Sequence, residues 1–222
     1  MKKKHFFTIV IICFYCFAFA QKSPYGIALD ENKKEFLDKI EVTVSEWYFY
    51  CEDLKNRYGD TSGIYQESLP DADLFKTFYG FSFLYNAGQY TKDDMKYIRK
   101  QMIILPMSCV SQEQIAGFCT WRSERVNEKN KLENLPYRVV YTLPDKEDYD
   151  KALSNAIISH QVSLSPVKAK NKFTGLTDNV PEYTNDENII IIGGNKNGIQ
   201  TTNNITHPIG FRCKVVIVEE MY

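Results

Sequence analysis

The chain offers helix starts and strand runs, but never in the strand-helix-strand alternation that builds a parallel sheet. Thr43-Val-Ser-Glu46 and Ser111-Gln-Glu-Gln114 are capping boxes, in which the hydroxyl and the side chain three residues on satisfy backbone donors left unpaired in the first helical turn. After the first, Trp47, Tyr50, Cys51 and Leu54 recur at helical spacing, which predicts a helix to about Tyr58, stopping before Gly59. After the second come Ile115, Phe118, Cys119, Arg122 and Val126. Asp145 is a good N-cap for a third helix with Tyr149 and Leu153 on its core face, and Thr91 with Asp94 caps a short helix to about Gln101. Alternation and β-branched residues mark strands at 137–141, 189–192 and 211–218, with Asn197-Gly198 as a hairpin turn. Helices and short strands without a β-α-β rhythm make the fold class α+β.

The N-terminus carries Lys2-Lys3-Lys4, an apolar run from Phe6 to Phe17 and a small-x-small Ala18-Phe19-Ala20, the pattern of a signal peptide over 1–20 with cleavage before Gln21. That run is shorter than the roughly 20 residues of a bilayer-spanning helix, and no comparable run follows, so no transmembrane segment is expected in the mature chain. Ile12 and Tyr15 precede Cys13 and Cys16, where a lipid-attachment site would have small residues. Cleavage removes three lysines and no acid, taking the formal charge from −1 to −4. An acidic chain without a long basic cluster does not suit nucleic acid, whose binding leans on Lys and Arg at phosphates. Residues 21–222 fit the size of a single domain, with no repeat or linker dividing them.

The last third carries three motifs in order: Gly175-Leu-Thr-Asp-Asn-Val-Pro-Glu-Tyr183, a run of isoleucines ending in Gly193-Gly194, and Pro208-Ile-Gly-Phe-Arg-Cys213. This series resembles the C-terminal signature of the formylglycine-generating enzyme, or sulfatase-modifying-factor, family. Glu41-Val42-Thr43, Phe118-Cys119-Thr120-Trp121 and Leu143-Pro144-Asp145 with Tyr149 are similar to further motifs of that family. The resemblance implies an irregular C-type-lectin-like fold. It covers the first helix, about 106–153 and 175–218. The stretch 60–106, rich in aromatics (Phe75, Phe78, Tyr79, Phe81, Phe83, Tyr85), has no family counterpart; it either completes the core or offers an apolar surface to a partner.

Between Gly194 and Gly210, where oxygen-dependent members carry paired copper-binding cysteines, no thiol stands, so no catalytic residue or cofactor is assigned. Four cysteines follow the leader, and an even count in an oxidising compartment favours disulfides. The resemblance implies that Cys119 pairs with Cys213; Cys51 and Cys109 form either a second bridge or two buried thiols. In the family, the turn holding Asp178 and Glu182 contributes to a structural calcium site, and oxygen ligands suit that ion. The histidines His160 and His207 have no partner at metal-ligand spacing, and Cys109, before a helix start, is the one thiol placed for nucleophilic activation. Gly193-Gly194 is not a phosphate loop, because no helix start follows it.

The resulting expectation is a non-catalytic member of the family, periplasmic or extracellular, acting as a structural or binding component of a bacterial envelope with a protein partner, as in secretion and gliding-motility relatives. The rival is a C-type-lectin-like module that binds a glycan or other ligand through the polar segment 195–206. An enzyme with altered chemistry on the same scaffold ranks third.

Overall fold

The computed structural model describes residues 26–30, 34–84, 89–158, 180–186, 190–195, 198–202 and 209–219. The leader, His160, His207 and residues 175–179, Asp178 among them, lie outside them. In chain order the helices are α1 (Val44–Tyr58), α2 (Gly63–Ser68), α3 (Ala72–Tyr79), α4 (Lys92–Ile104), α5 (Gln112–Leu132) and α6 (Lys146–Ile158). The strands are β1 (Ile27–Ala28), β2 (Glu35–Leu37), β3 (Tyr137–Thr142), β4 (Glu182–Tyr183), β5 (Ile190–Asn195), β6 (Gly198–Thr202) and β7 (Lys214–Glu219). They form two antiparallel sheets, ordered β1-β2-β7-β3 and β4-β5-β6, so the class is α+β as expected.

Capping chemistry sets the helix starts. Thr43, Thr91 and Ser111 each close a full capping box, with the carboxylate or amide at the third helical position returning to the cap N–H. α1 ends where Gly59 takes φ 89°, and Lys55 and Arg57 in its last turn face the negative end of the helix dipole. α4 runs three residues past the expected Gln101. At the start of α6 the Asp148 carboxylate accepts from the Asp145 N–H at 2.9 Å.

Two helices, α2 and α3, stand in the stretch that the sequence leaves irregular. Ser62 and Asp71 cap them through the N–H groups of Tyr65 and Leu74. Helices this short are not stable on their own, so tertiary contact rather than periodicity decides them. The aromatic cluster there divides. Phe75, Phe81 and Phe83 join the core, whereas Phe78 is exposed, and Tyr85 lies outside the described residues.

The core is aromatic at its centre. Trp47 of α1 stacks on Phe118 of α5 with centroids 5.3 Å apart, and the Phe211 ring meets both edge-on. The Trp47 indole N–H donates to the Ser68 carbonyl at 3.0 Å, so the buried ring leaves no donor unpaired. α5 lies against β3 and also closes its free edge. The Val139 N–H donates to Asn127 Oδ1, Asn127 Nδ2 donates back to the Val139 carbonyl, and the Tyr141 N–H donates to Ser123 Oγ. Side chains thus take the place of a further strand, which blocks edge-to-edge pairing at β3.

The closing segment departs from the expected strand over 211–218. Regular pairing begins at Lys214, because Phe211 and Cys213 direct their carbonyls to the N–H groups of Val42 and Asp38. In the hairpin, Asn195 pairs with Gly198, so Gly198 is a strand residue rather than part of the expected Asn197-Gly198 turn, and Asn197 lies outside the described residues. Gly193 and Gly194 are strand residues paired with Gln200 and Ile199. Gly210 meets a tighter constraint: a Cβ there would lie 2.6 Å from Val180 Cγ2 and 3.4 Å from the Met107 carbonyl oxygen. Gly210→Ala is expected to destabilise the fold by about 1–3 kcal/mol in urea unfolding, as overpacking does.

Candidate functional site

Arg212 is fully buried, with no exposed surface, and it gathers residues from near the start of the chain and from its last third. Its Nε and Nη2 donate to the two oxygens of Glu182 at 2.7 and 2.5 Å, a bidentate pair. Its Nη1 donates to the carbonyls of Asp38 and Lys39 at 3.2 and 3.3 Å. Glu41 Oε1 lies 3.7 Å from Nη2, and the buried Tyr149 hydroxyl donates to Glu182 Oε2 at 2.8 Å. Burial opposes the charge on Arg212, but the adjacent Glu182 carboxylate outweighs that penalty and holds the guanidinium pKa above its ordinary value. Burial likewise keeps the Tyr149 phenol neutral, and the Glu182 charge reinforces it.

A second pair sits one residue along. Arg122 of α5 grips the Asp38 carboxylate with both terminal nitrogens, and its guanidinium lies 4.3 Å from the Tyr141 ring centroid. The same carboxylate accepts from the Cys213 N–H at 3.2 Å. The two arginines therefore clamp the turn between β2 and α1 from both sides. One holds its carbonyls and the other its acid.

The positions singled out in the sequence fall around this cluster. Glu182 is 1 % exposed, and both of its oxygens are engaged by Arg212 and Tyr149. A calcium ion on that carboxylate would press against a guanidinium, so Glu182 as placed does not fit a calcium ligand; Asp178 lies outside the described residues. Among the described residues no group of three His, Cys, Asp or Glu side chains is arranged to hold a metal. Cys119 and Cys213 are brought together, both buried, with their sulfurs 3.7 Å apart as thiols. Burial pushes the Cys213 thiol well up, and its contact with Cys119 adds to the effect. Cys51 exchanges hydrogen bonds with Ser68, its Sγ donating to the carbonyl and the Ser68 hydroxyl donating to Sγ. Burial also raises the Cys109 thiol above its ordinary value, the opposite of what a nucleophile needs.

The sequence reading did not anticipate the roles of Asp38, Glu41, Arg122 and the Tyr149 hydroxyl. Tyr149 carried a readable signal, as an aromatic on the core face of α6, and Arg212 stood inside a recognised motif. Arg122 was readable only as part of the apolar-periodic face of α5, and Asp38 carried no signal, since nothing local marks two residues so far apart as a pair.

Beside the cluster, a cleft of about 320 Å³ opens between α5, the end of β3 and the residues after β4. Its described lining is amide and hydroxyl in character (Gln112, Thr120, Thr142, Thr184, Asn185) around Tyr141 and Leu143, with Cys119 at one side. Gln112 Nε2 donates to the Thr184 carbonyl at 3.1 Å and ties the cleft's two walls together. Such a lining can hold a hydroxylated ligand by hydrogen bonds. Among the described residues it presents no carboxylate or imidazole for proton transfer. Compared with known proteins, the chain matches no family model, no curated protein and no solved structure.

Two outcomes follow from this geometry. Arg212→Met leaves the Glu182 carboxylate buried without its cation and should lower the unfolding free energy by about 3–5 kcal/mol, whereas adding Glu182→Gln should restore part of that loss in the same denaturant titration. At alkaline pH, the Cys51 thiol and the Tyr141 phenol, raised by burial from 9.0 and 10.0 to about 12, stay neutral in the fold while the unfolded chain ionises. Stability is therefore full below about pH 9 and falls as pH rises toward 12, by about 1.4 kcal/mol per pH unit for each group in its window, as denaturation followed across that range would read.

Proposed function

We propose that this protein is a non-catalytic member of the formylglycine-generating-enzyme family with that family's C-type-lectin-like fold, exported to the periplasm or beyond, where it serves as a structural or binding component of a bacterial envelope. The observation that carries the reading is the convergence on Arg212. Glu41, Tyr149, Glu182 and Arg212 come from four separate motifs that resemble the family's, and they meet in one buried cluster. Their charges are taken up by one another, which is the signature of a scaffold and not of a reaction centre. The leader-like 1–20 and the four cysteines after it support export, and in an oxidising compartment the Cys119 and Cys213 thiols would close as a disulfide between α5 and the segment that enters the last strand. No described helix is long and apolar enough to cross a membrane.

A second reading, a lectin-like module that binds a glycan, is favoured by the hydroxyl- and amide-lined cleft beside Tyr141. The two separate in one experiment: cross-linking of the tagged protein in its native cells, with the cross-linked peptides mapped under non-reducing conditions. The envelope reading expects a reproducible protein partner and a Cys119–Cys213 linked peptide. Recovery as a lone chain would sink it, and glycan-array binding abolished by Asn185→Ala would then support the second.

A further inference from the structure

The exposed face of α4 is charged in a way that the fold itself does not use. Lys92, Lys96, Arg99 and Ile103 follow one another at i, i+4, i+7 and i+11, which aligns them in a single stripe along the helix over roughly 16 Å. The three cations are exposed, and no ion pair among the described residues engages any of them. Like charges one turn apart repel weakly, so an anionic group lying against the stripe would relieve that repulsion. The helix is anchored on its core side by the buried Ile98 and Met102.

The stripe also borders a recess. Tyr90, Met95, Lys92, Lys96 and Arg99 line a groove of about 440 Å³. Tyr90 forms its wall and is held in place by the Ser82 N–H, which donates to the phenol oxygen at 3.2 Å. Beyond the groove's C-terminal end, Ile103 is 63 % exposed. The acids nearby do not neutralise this face. Asp94 is occupied as the capping-box partner of Thr91, and Asp93, three residues before Lys96, forms no ion pair with it among the described residues.

We propose that this groove docks an acidic segment of a partner protein, its carboxylates on Lys92, Lys96 and Arg99 and an apolar side chain against Ile103. The inference rests on the reading of the chain as a binding component and names the surface and the chemistry of what is bound. Charge complementarity identifies the occupant as anionic. The outward side of α4 that a bilayer would meet also carries Asp93, and the exposed Tyr97 and Ile103 lie on opposite flanks of the helix, so they do not form one apolar face. The mildly acidic charge of the whole chain makes a basic stripe here a local feature and not a reflection of composition.

The test uses the full mature chain and a fluorescein-labelled twelve-residue peptide of Glu and Leu, with Glu→Gln and Glu→Lys versions as controls, read by fluorescence anisotropy. Binding of the Glu peptide alone is expected, weakening at least about tenfold between about 50 and 500 mM salt as the charges are screened. Lys92→Glu/Lys96→Glu/Arg99→Glu should abolish it, with circular dichroism confirming that the variant is folded, while Lys131→Glu on α5 should bind as the unaltered chain does. No binding at about 1 mM protein, or equal binding by the triple variant, overturns the proposal. So does retention on anionic vesicles that depends on the stripe when the peptide is not bound. Native cross-linking of the triple variant separates the two readings. A partner that persists leaves the envelope role standing and removes this groove from it, whereas a chain that never acquires a partner, altered or not, removes both.

Discussion

A guanidinium taken out of water must find all its acceptors within the fold, and Arg212 finds them on segments that are far apart in sequence. Glu182 supplies two, the turn after β2 supplies two carbonyls, and Glu41 stands by at the entrance to α1. That requirement fixes more than one contact. It sets where β4 lies against the closing segment, where Gly210 passes Val180 and Met107, and how α6 must turn to bring the Tyr149 hydroxyl to Glu182. The Asp38–Arg122 pair extends the same logic to α5, so both long helices of the core are tied to one short stretch of chain. A buried ion pair of this kind contributes little net stability over an apolar substitute. Its effect is to penalise heavily any arrangement in which one partner is missing.

This division explains what was legible beforehand. Capping boxes are local chemistry, so Thr43, Thr91 and Ser111 announced α1, α4 and α5 before any tertiary contact was known. Tyr149 and Leu153 were readable as a core face for the same reason. α2 and α3 were not, because one or two turns of helix depend on what they touch, although Ser62 and Asp71 do carry the cap residues. The site divides similarly. Gly-Phe-Arg-Cys marked Arg212 and Cys213, but its partners Asp38, Glu41 and Glu182 are separated from it by long stretches of chain, and spacing says nothing about pairs of that kind. For Glu182 the sequence offered a calcium ligand, and the fold gives its carboxylate to an arginine instead.

The functional picture follows from where charge is satisfied and where it is not. In the interior, Arg212 meets Glu182 and Arg122 meets Asp38, and burial raises the Cys51, Cys109 and Cys213 thiols toward their neutral forms. At the surface, the cations of α4 stay in water on a helix that the core holds in shape. The amide-lined cleft beside Tyr141 is a second surface whose polar groups face solvent.

Whether one buried guanidinium holds these segments in register can be read from native-state hydrogen exchange on the wild type and Arg212→Met. The amides to follow are those of Asp38, Val42, Tyr183 and Gly210, each bonded across the segments that Arg212 joins. They are expected to exchange as one cooperative unit with the core in the wild type and to lose protection together in the variant, ahead of the amides inside α5. Unchanged protection of those four amides in Arg212→Met would contradict this.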